Sequence, residues 1–71
     1  MNSGKNFTAL RESLGLTQKQ IADAVGLTDQ TVSNWERGVN VPRLTLRQTV
    51  KLCEITKSSV EELANLFEPE T

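Results

Sequence analysis

The stretch "LTQKQIADAVGLTDQTVSNWERG", residues 16–38, decides the fold. It holds two helical passages with hardly a residue between them. Thr17 followed by Gln20 is the pattern in which each side chain satisfies the other's free backbone N–H, so a helix opens there. Ile21, Ala22 and Val25 recur at helical spacing and form its buried side, and Gly26 ends it, because glycine accepts a left-handed stop without strain. Thr28 then caps a further helix running to about Arg37, with Val32 and Trp35 inward and Gly38 as the stop. Only Leu27 lies between Gly26 and that cap. So short a turn makes the two helices cross steeply, and the small Ala22 lets them approach. The outer face of the second carries Asp29, Gln30, Ser33 and Asn34, where a merely solvated face would carry Lys and Glu. Side chains that both donate and accept hydrogen bonds point to a partner that presents both.

Outward from this motif the chain continues as helices. Phe7, Leu10 and Leu14 predict a first helix over about 6–14, stopped by Gly15. Pro42 disfavours helix at Val41, so "VNVPR" is a loop. A fourth helix, about 44–55, offers Leu46, Thr49, Val50 and Cys53 at i, i+3, i+4 and i+7, with Leu52 beside them. Ser58 with Glu61 reads as a second capping box before a last helix, about 59–67, whose Val60, Leu63, Ala64 and Phe67 close the core. The reading is all-α: five helices over 6–67, a flexible N-terminus at 1–5 and an acidic tail at 68–71. Its expected core is Phe7, Leu10, Leu14, Ile21, Val25, Val32, Trp35, Leu46, Val50, Cys53 and Leu63.

Composition narrows the function. Seventy-one residues, 37% apolar and 24% charged, suit one small globular domain of marginal stability. No apolar run approaches the roughly 20 residues that span a bilayer, and "MNSGKNFTALRESLG" holds no signal-peptide core, so a cytoplasmic protein without membrane contact is expected. A single cysteine and no histidine exclude a disulfide within the chain and a zinc finger, and leave no nucleophile and base to name. Neither enzyme activity, metal nor cofactor is expected. The net charge of −1 is awkward for a nucleic-acid partner, because phosphates call for clustered Lys and Arg. The charge is uneven, however: residues 1–51 hold seven basic and four acidic residues, and 52–71 hold one basic and five acidic. Such a molecule presents an anion-binding side and an acidic side.

Taken together, "LGLTQKQIADAVGLTDQTVSNWERG", "VPRLTLRQTVKLC" and "SSVEELANL" resemble, in order and spacing, the phage repressor and Cro type of helix-turn-helix domain, the Xre family. The resemblance covers about residues 7–66 and implies a lambda-repressor-like fold. In such domains the second helix of the motif enters the DNA major groove while the first crosses the backbone. Carried over by position, Asp29, Gln30 and Asn34 meet base edges, with Ser33 beside them, and Thr28 and Thr31 stand near the sugar-phosphate wall. Gln and Asn can pair bidentately with adenine, and Asp can accept from cytosine. Asp29 alternatively helps Thr28 cap its own helix. Gln18 matches the family's phosphate-contacting glutamine, its plainer role being a helix-start residue; Lys19, Arg37 and Arg43 resemble further backbone contacts. Arg11 and Glu36 match a structural salt bridge. Trp35 and Cys53 read as core filling rather than as stacking or redox groups.

Two functions compete. The first is a sequence-specific regulator of transcription that binds a double-stranded operator as a homodimer, through the C-terminal helix, its tail or the N-terminal residues. The second is a protein-interaction module that keeps the fold and offers its acidic side to a larger protein partner. Lys19, Arg37 and Arg43 are matched by Asp23, Asp29 and Glu36 within 17–43, and this neutrality keeps the second reading open.

Overall fold

The computed structural model describes residues 3–68, with side chains from Asn6 onward. Among these residues there are five helices and no strand: α1 (Ser3–Ser13), α2 (Gln18–Val25), α3 (Asp29–Glu36), α4 (Leu46–Thr56) and α5 (Val60–Phe67). The all-α expectation therefore holds. The expected acidic tail falls mostly on residues 69–71, outside the described part, as do Met1 and Asn2. α1 begins at Ser3, earlier than the start at about residue 6 that the apolar spacing predicts. Phe7, on the inner side of this helix, is wholly buried.

Four helices end in the same way. After α1, α2 and α3 a glycine takes the left-handed conformation: Gly15 at φ 71°, Gly26 at φ 79° and Gly38 at φ 75°. The residue after each glycine donates back across the last turn, Leu16 to Arg11, Leu27 to Ala22 and Val39 to Asn34, so the otherwise orphaned carbonyls are satisfied. At the end of α4 the same geometry is made by a lysine, Lys57 at φ 54°, with Ser58 donating to the Cys53 carbonyl at 3.1 Å.

These stops set the packing. With Leu27 alone between Gly26 and the Thr28 cap, α2 and α3 pack against one another; α1 lies on α3, α4 on α2, and α5 closes across α1 and α4. The buried apolar cluster takes one or more residues from every helix: Phe7, Ile21, Ala22, Val25, Val32, Trp35, Leu52, Leu63 and Phe67. Phe7, Trp35 and Phe67 meet as three rings with centroids 5.0 to 6.1 Å apart, two of the contacts edge-on, an arrangement favoured by the ring quadrupole. Leu10, Leu14 and Cys53 are only half-buried.

The fourth and fifth helices correct the sequence reading. Leu46 is 88% exposed and Val50 53% exposed, so neither is core. The helix starts at Leu46, not Leu44, because Thr45 caps it: its hydroxyl accepts from Gln48 N–H while Gln48 returns the bond to Thr45. More apolar residues lie along α4 than one face can cover. The buried face is that of Leu52 and Thr56, with Thr56 satisfying its hydroxyl on the Leu52 carbonyl at 2.7 Å. The last cap is Ser59 with Glu62, one residue later than expected. Ser58 is already committed to the end of α4, its N–H on Cys53 and its hydroxyl on the Thr56 carbonyl. That shift leaves Val60 59% exposed and Ala64 exposed, while Leu63 and Phe67 turn inward.

Candidate nucleic-acid interface

The back of α3 is pinned and its front is open. Val32, Trp35 and Glu36 are buried, whereas Asp29, Gln30 and Arg37 are exposed and Ser33 and Asn34 half-exposed. Thr28 makes the helix cap: its hydroxyl oxygen accepts from Thr31 N–H at 3.2 Å and lies 3.0 Å from the Thr31 hydroxyl. The capping bond therefore belongs to Thr28, and Asp29 adds its negative charge to the positive end of the helix in the first turn.

On the open side three side chains are linked. Gln30 Nε2 donates to Asn34 Oδ1 at 3.0 Å, and Arg37 Nη2 donates to the same oxygen at 2.6 Å. Their spacings of four and three residues bring them together on one helix face. Nothing in the sequence reading joined Arg37 to Asn34, although the spacing alone contained the signal.

Behind α3 lies an ionic anchor. Arg11 Nε donates to Glu36 Oε2 at 2.7 Å and Arg11 Nη2 to Glu36 Oε1 at 3.1 Å, a two-pronged pair with side chains only 13% and 7% exposed. Arg11 Nη1 also donates to the Leu16 carbonyl at 2.8 Å, which ties the α1–α2 turn to the same group. Burial by itself pushes the Glu36 carboxyl up, but the hydrogen bonds from Arg11, Gln18 and Thr8 outweigh it and hold the group below its ordinary value. The hydrogen bond to Glu36 raises Arg11 further from neutrality, against the opposing effect of burial.

Gln18 is the third member of this anchor, with Nε2 donating to Glu36 Oε1 at 3.0 Å. The sequence reading gave it only a phosphate or a helix start. Its position on α2 carried no hint of the link, because eighteen residues separate it from Glu36. One amide N–H and the carbonyl oxygen remain outside that bond. Lys19 pairs with Asp23 at 3.6 Å on the exposed face of α2, and Arg43 is exposed in the α3–α4 loop. Arg43 and Thr31 border an open cleft of about 210 Å³ that also includes Trp35 and Asn40. The described residues contain no group of His, Cys, Asp and Glu arranged to hold a metal, and no helix is long and apolar enough to cross a membrane.

Comparison with known proteins agrees with this architecture. The P22 c2 repressor, solved in complex with the synthetic operator 9T in the presence of Tl+, superposes with a TM-score of 0.73 at 21% identity, over 99% of this chain and 98% of that one. At that identity the match speaks for the fold. No curated protein matches the chain. The family model described as helix-turn-helix matches residues 8–66, a span that contains α2 and α3 whole. The chain belongs to the helix-turn-helix family, in its phage repressor and Cro form.

Proposed function

We propose that the protein is a sequence-specific, double-stranded-DNA-binding regulator of transcription that lays α3 in the major groove and occupies its operator as a homodimer. The observation that carries this reading is the open face of α3: Asp29, Gln30, Ser33 and Asn34 stand outward on a helix whose other side is held by Val32, Trp35 and the Glu36 anchor. Base edges in the major groove are a mosaic of donors and acceptors, and amides match it. A reader must also be rigid, since a rocking helix cannot hold hydrogen-bond geometry, and the anchor supplies that rigidity.

Thr28, Thr31, Lys19, Arg37 and Arg43 are the proposed backbone contacts, together with Gln18 through the amide N–H that Glu36 leaves free. Phosphates are met at the start of α2, where unpaired backbone N–H groups favour an anion. The similarity to the P22 c2 repressor, a protein solved in complex with a synthetic operator, is consistent with this assignment. Two copies would place their α3 helices about 34 Å apart on one side of the duplex.

Selection from a random duplex library, followed by anisotropy titration at several salt concentrations, tests the proposal. Enrichment of a palindrome with half-sites about one turn apart is expected. Absence of any enriched motif, with weak binding that vanishes as salt rises, overturns it. One observation favours the protein-interaction reading: Lys19 is paired with Asp23, so the free positive charge of the DNA side rests mainly on Arg37 and Arg43. Under that reading the same library yields nothing and a pull-down from the native cell yields a stoichiometric partner.

A further inference from the structure

The bonds around Asn34 determine which way its amide points. Arg37 carries only donors, so the atom 2.6 Å from its Nη2 is the carbonyl oxygen of Asn34. That oxygen cannot donate, so the Gln30 atom 3.0 Å away is its amide nitrogen. Both amide orientations therefore follow from the chemistry of the guanidinium. A carbonyl oxygen has two lone pairs, and here both are taken. What Asn34 offers outward is its Nδ2 group alone, a donor with no acceptor beside it.

This matters for reading bases. An asparagine that recognises adenine needs both ends of its amide, the oxygen for N6–H and the nitrogen for N7. Asn34 lacks the first. Guanine presents N7 and O6, both acceptors, and suits a donor-only group; cytosine, with its N4–H donor, does not. Gln30 differs, since its carbonyl oxygen and one N–H remain outside the chain of bonds.

Resting on the proposed DNA-reading function, we infer that Arg37 is a specificity-determining positioning residue: by occupying the Asn34 carbonyl it makes Asn34 select guanine rather than adenine. Four N–H donors of Arg37 remain for phosphate, so the two roles coexist.

Three parallel selections from a random duplex library test this, with the unaltered chain, Asn34→Ala and Arg37→Met. Arg37 is exposed at the end of α3, and methionine keeps its apolar stem, so the fold is retained; thermal unfolding followed by circular dichroism checks that. The operator position whose preference collapses in Asn34→Ala is the one Asn34 reads. At that position the unaltered chain is expected to enrich guanine over adenine by about tenfold, and Arg37→Met to reverse or erase that preference in addition to the general loss of affinity that a missing phosphate contact brings. A loss of phosphate contact alone lowers affinity everywhere but leaves that ratio unmoved. Adenine at this position with the unaltered chain, an unchanged ratio in Arg37→Met, or no position sensitive to Asn34→Ala each overturns the inference while the regulator reading stands. Failure of the unaltered chain to enrich any motif overturns both.

Discussion

Single residues divide cleanly into those that hold the structure and those that face outward. Gln30→Ala and Asn34→Ala remove exposed amides, so each is expected to shift the urea midpoint by less than about 0.5 kcal/mol equivalent, as surface changes do. Each should nevertheless cost about 1 to 3 kcal/mol of specific affinity, read by titration against the selected operator. Arg11→Met has the opposite profile. It leaves the Glu36 carboxylate buried without its cation, and the expected loss is about 3 kcal/mol of stability at neutral pH. Glu36 also gives a pH signature. Because its folded-state pKa lies below the ordinary 4.5, its contribution is complete above that value and is lost as pH falls through the depressed one. Glu36→Gln should flatten this acid limb in urea midpoints measured from pH 6 to 3. In Arg11→Met the carboxyl keeps Gln18 and Thr8 but loses its cation and moves up under burial, so its deficit should shrink on acidification. Of these roles the outward amides and the Arg11–Glu36 pair were legible in sequence, the pair through family resemblance. Gln18 was half legible, because its bond to Glu36 depends on how α2 crosses α3.

Helix ends are where local sequence speaks most plainly, since a cap is settled within four residues. Thr17 with Gln20 and the three glycine stops could be read directly. The errors arose where two local signals overlapped. "TKSS" offers two serines as caps, and the choice of Ser59 follows from Lys57 adopting the left-handed turn that consumes Ser58. "RLTLRQ" hides its Thr45 cap behind an apolar spacing that fits two different faces of α4, and only the neighbours α2 and α5 decide between them. Lys57 stands where the other three helices use glycine. A non-glycine residue in this conformation costs roughly 1 kcal/mol or more, partly offset by the greater freedom glycine has when unfolded. Lys57→Gly is therefore expected to stabilise the domain by about 0.5 kcal/mol, measured as a rise in the thermal midpoint of a few degrees for a chain of this size.

At the scale of the whole molecule, the sequence indicated how many helices there are and which one faces outward, but not which surface remains bare. Leu46, Val50 and Val60 were expected inside because their spacing is helical; instead they lie uncovered on α4 and α5. If the operator-bound dimer closes over these residues, Leu46→Glu combined with Val50→Lys should reduce cooperative binding to a full palindrome, while affinity for a single half-site stays within about twofold. Footprinting on full and half operators separates the two effects. The described part measures 31 × 21 × 21 Å. Its longest dimension nearly equals the distance of about 34 Å between successive major-groove faces on one side of a duplex. In the proposed homodimer, with that longest dimension laid along the duplex, two such bodies on neighbouring half-sites would stand shoulder to shoulder. The proposed homodimer would then act as a caliper: two extra base pairs at the palindrome's centre would part the bodies by about 7 Å and turn one away from the other. Discrimination among genomic sites would thus include a test of length, made by the bulk of the domain and by no single side chain.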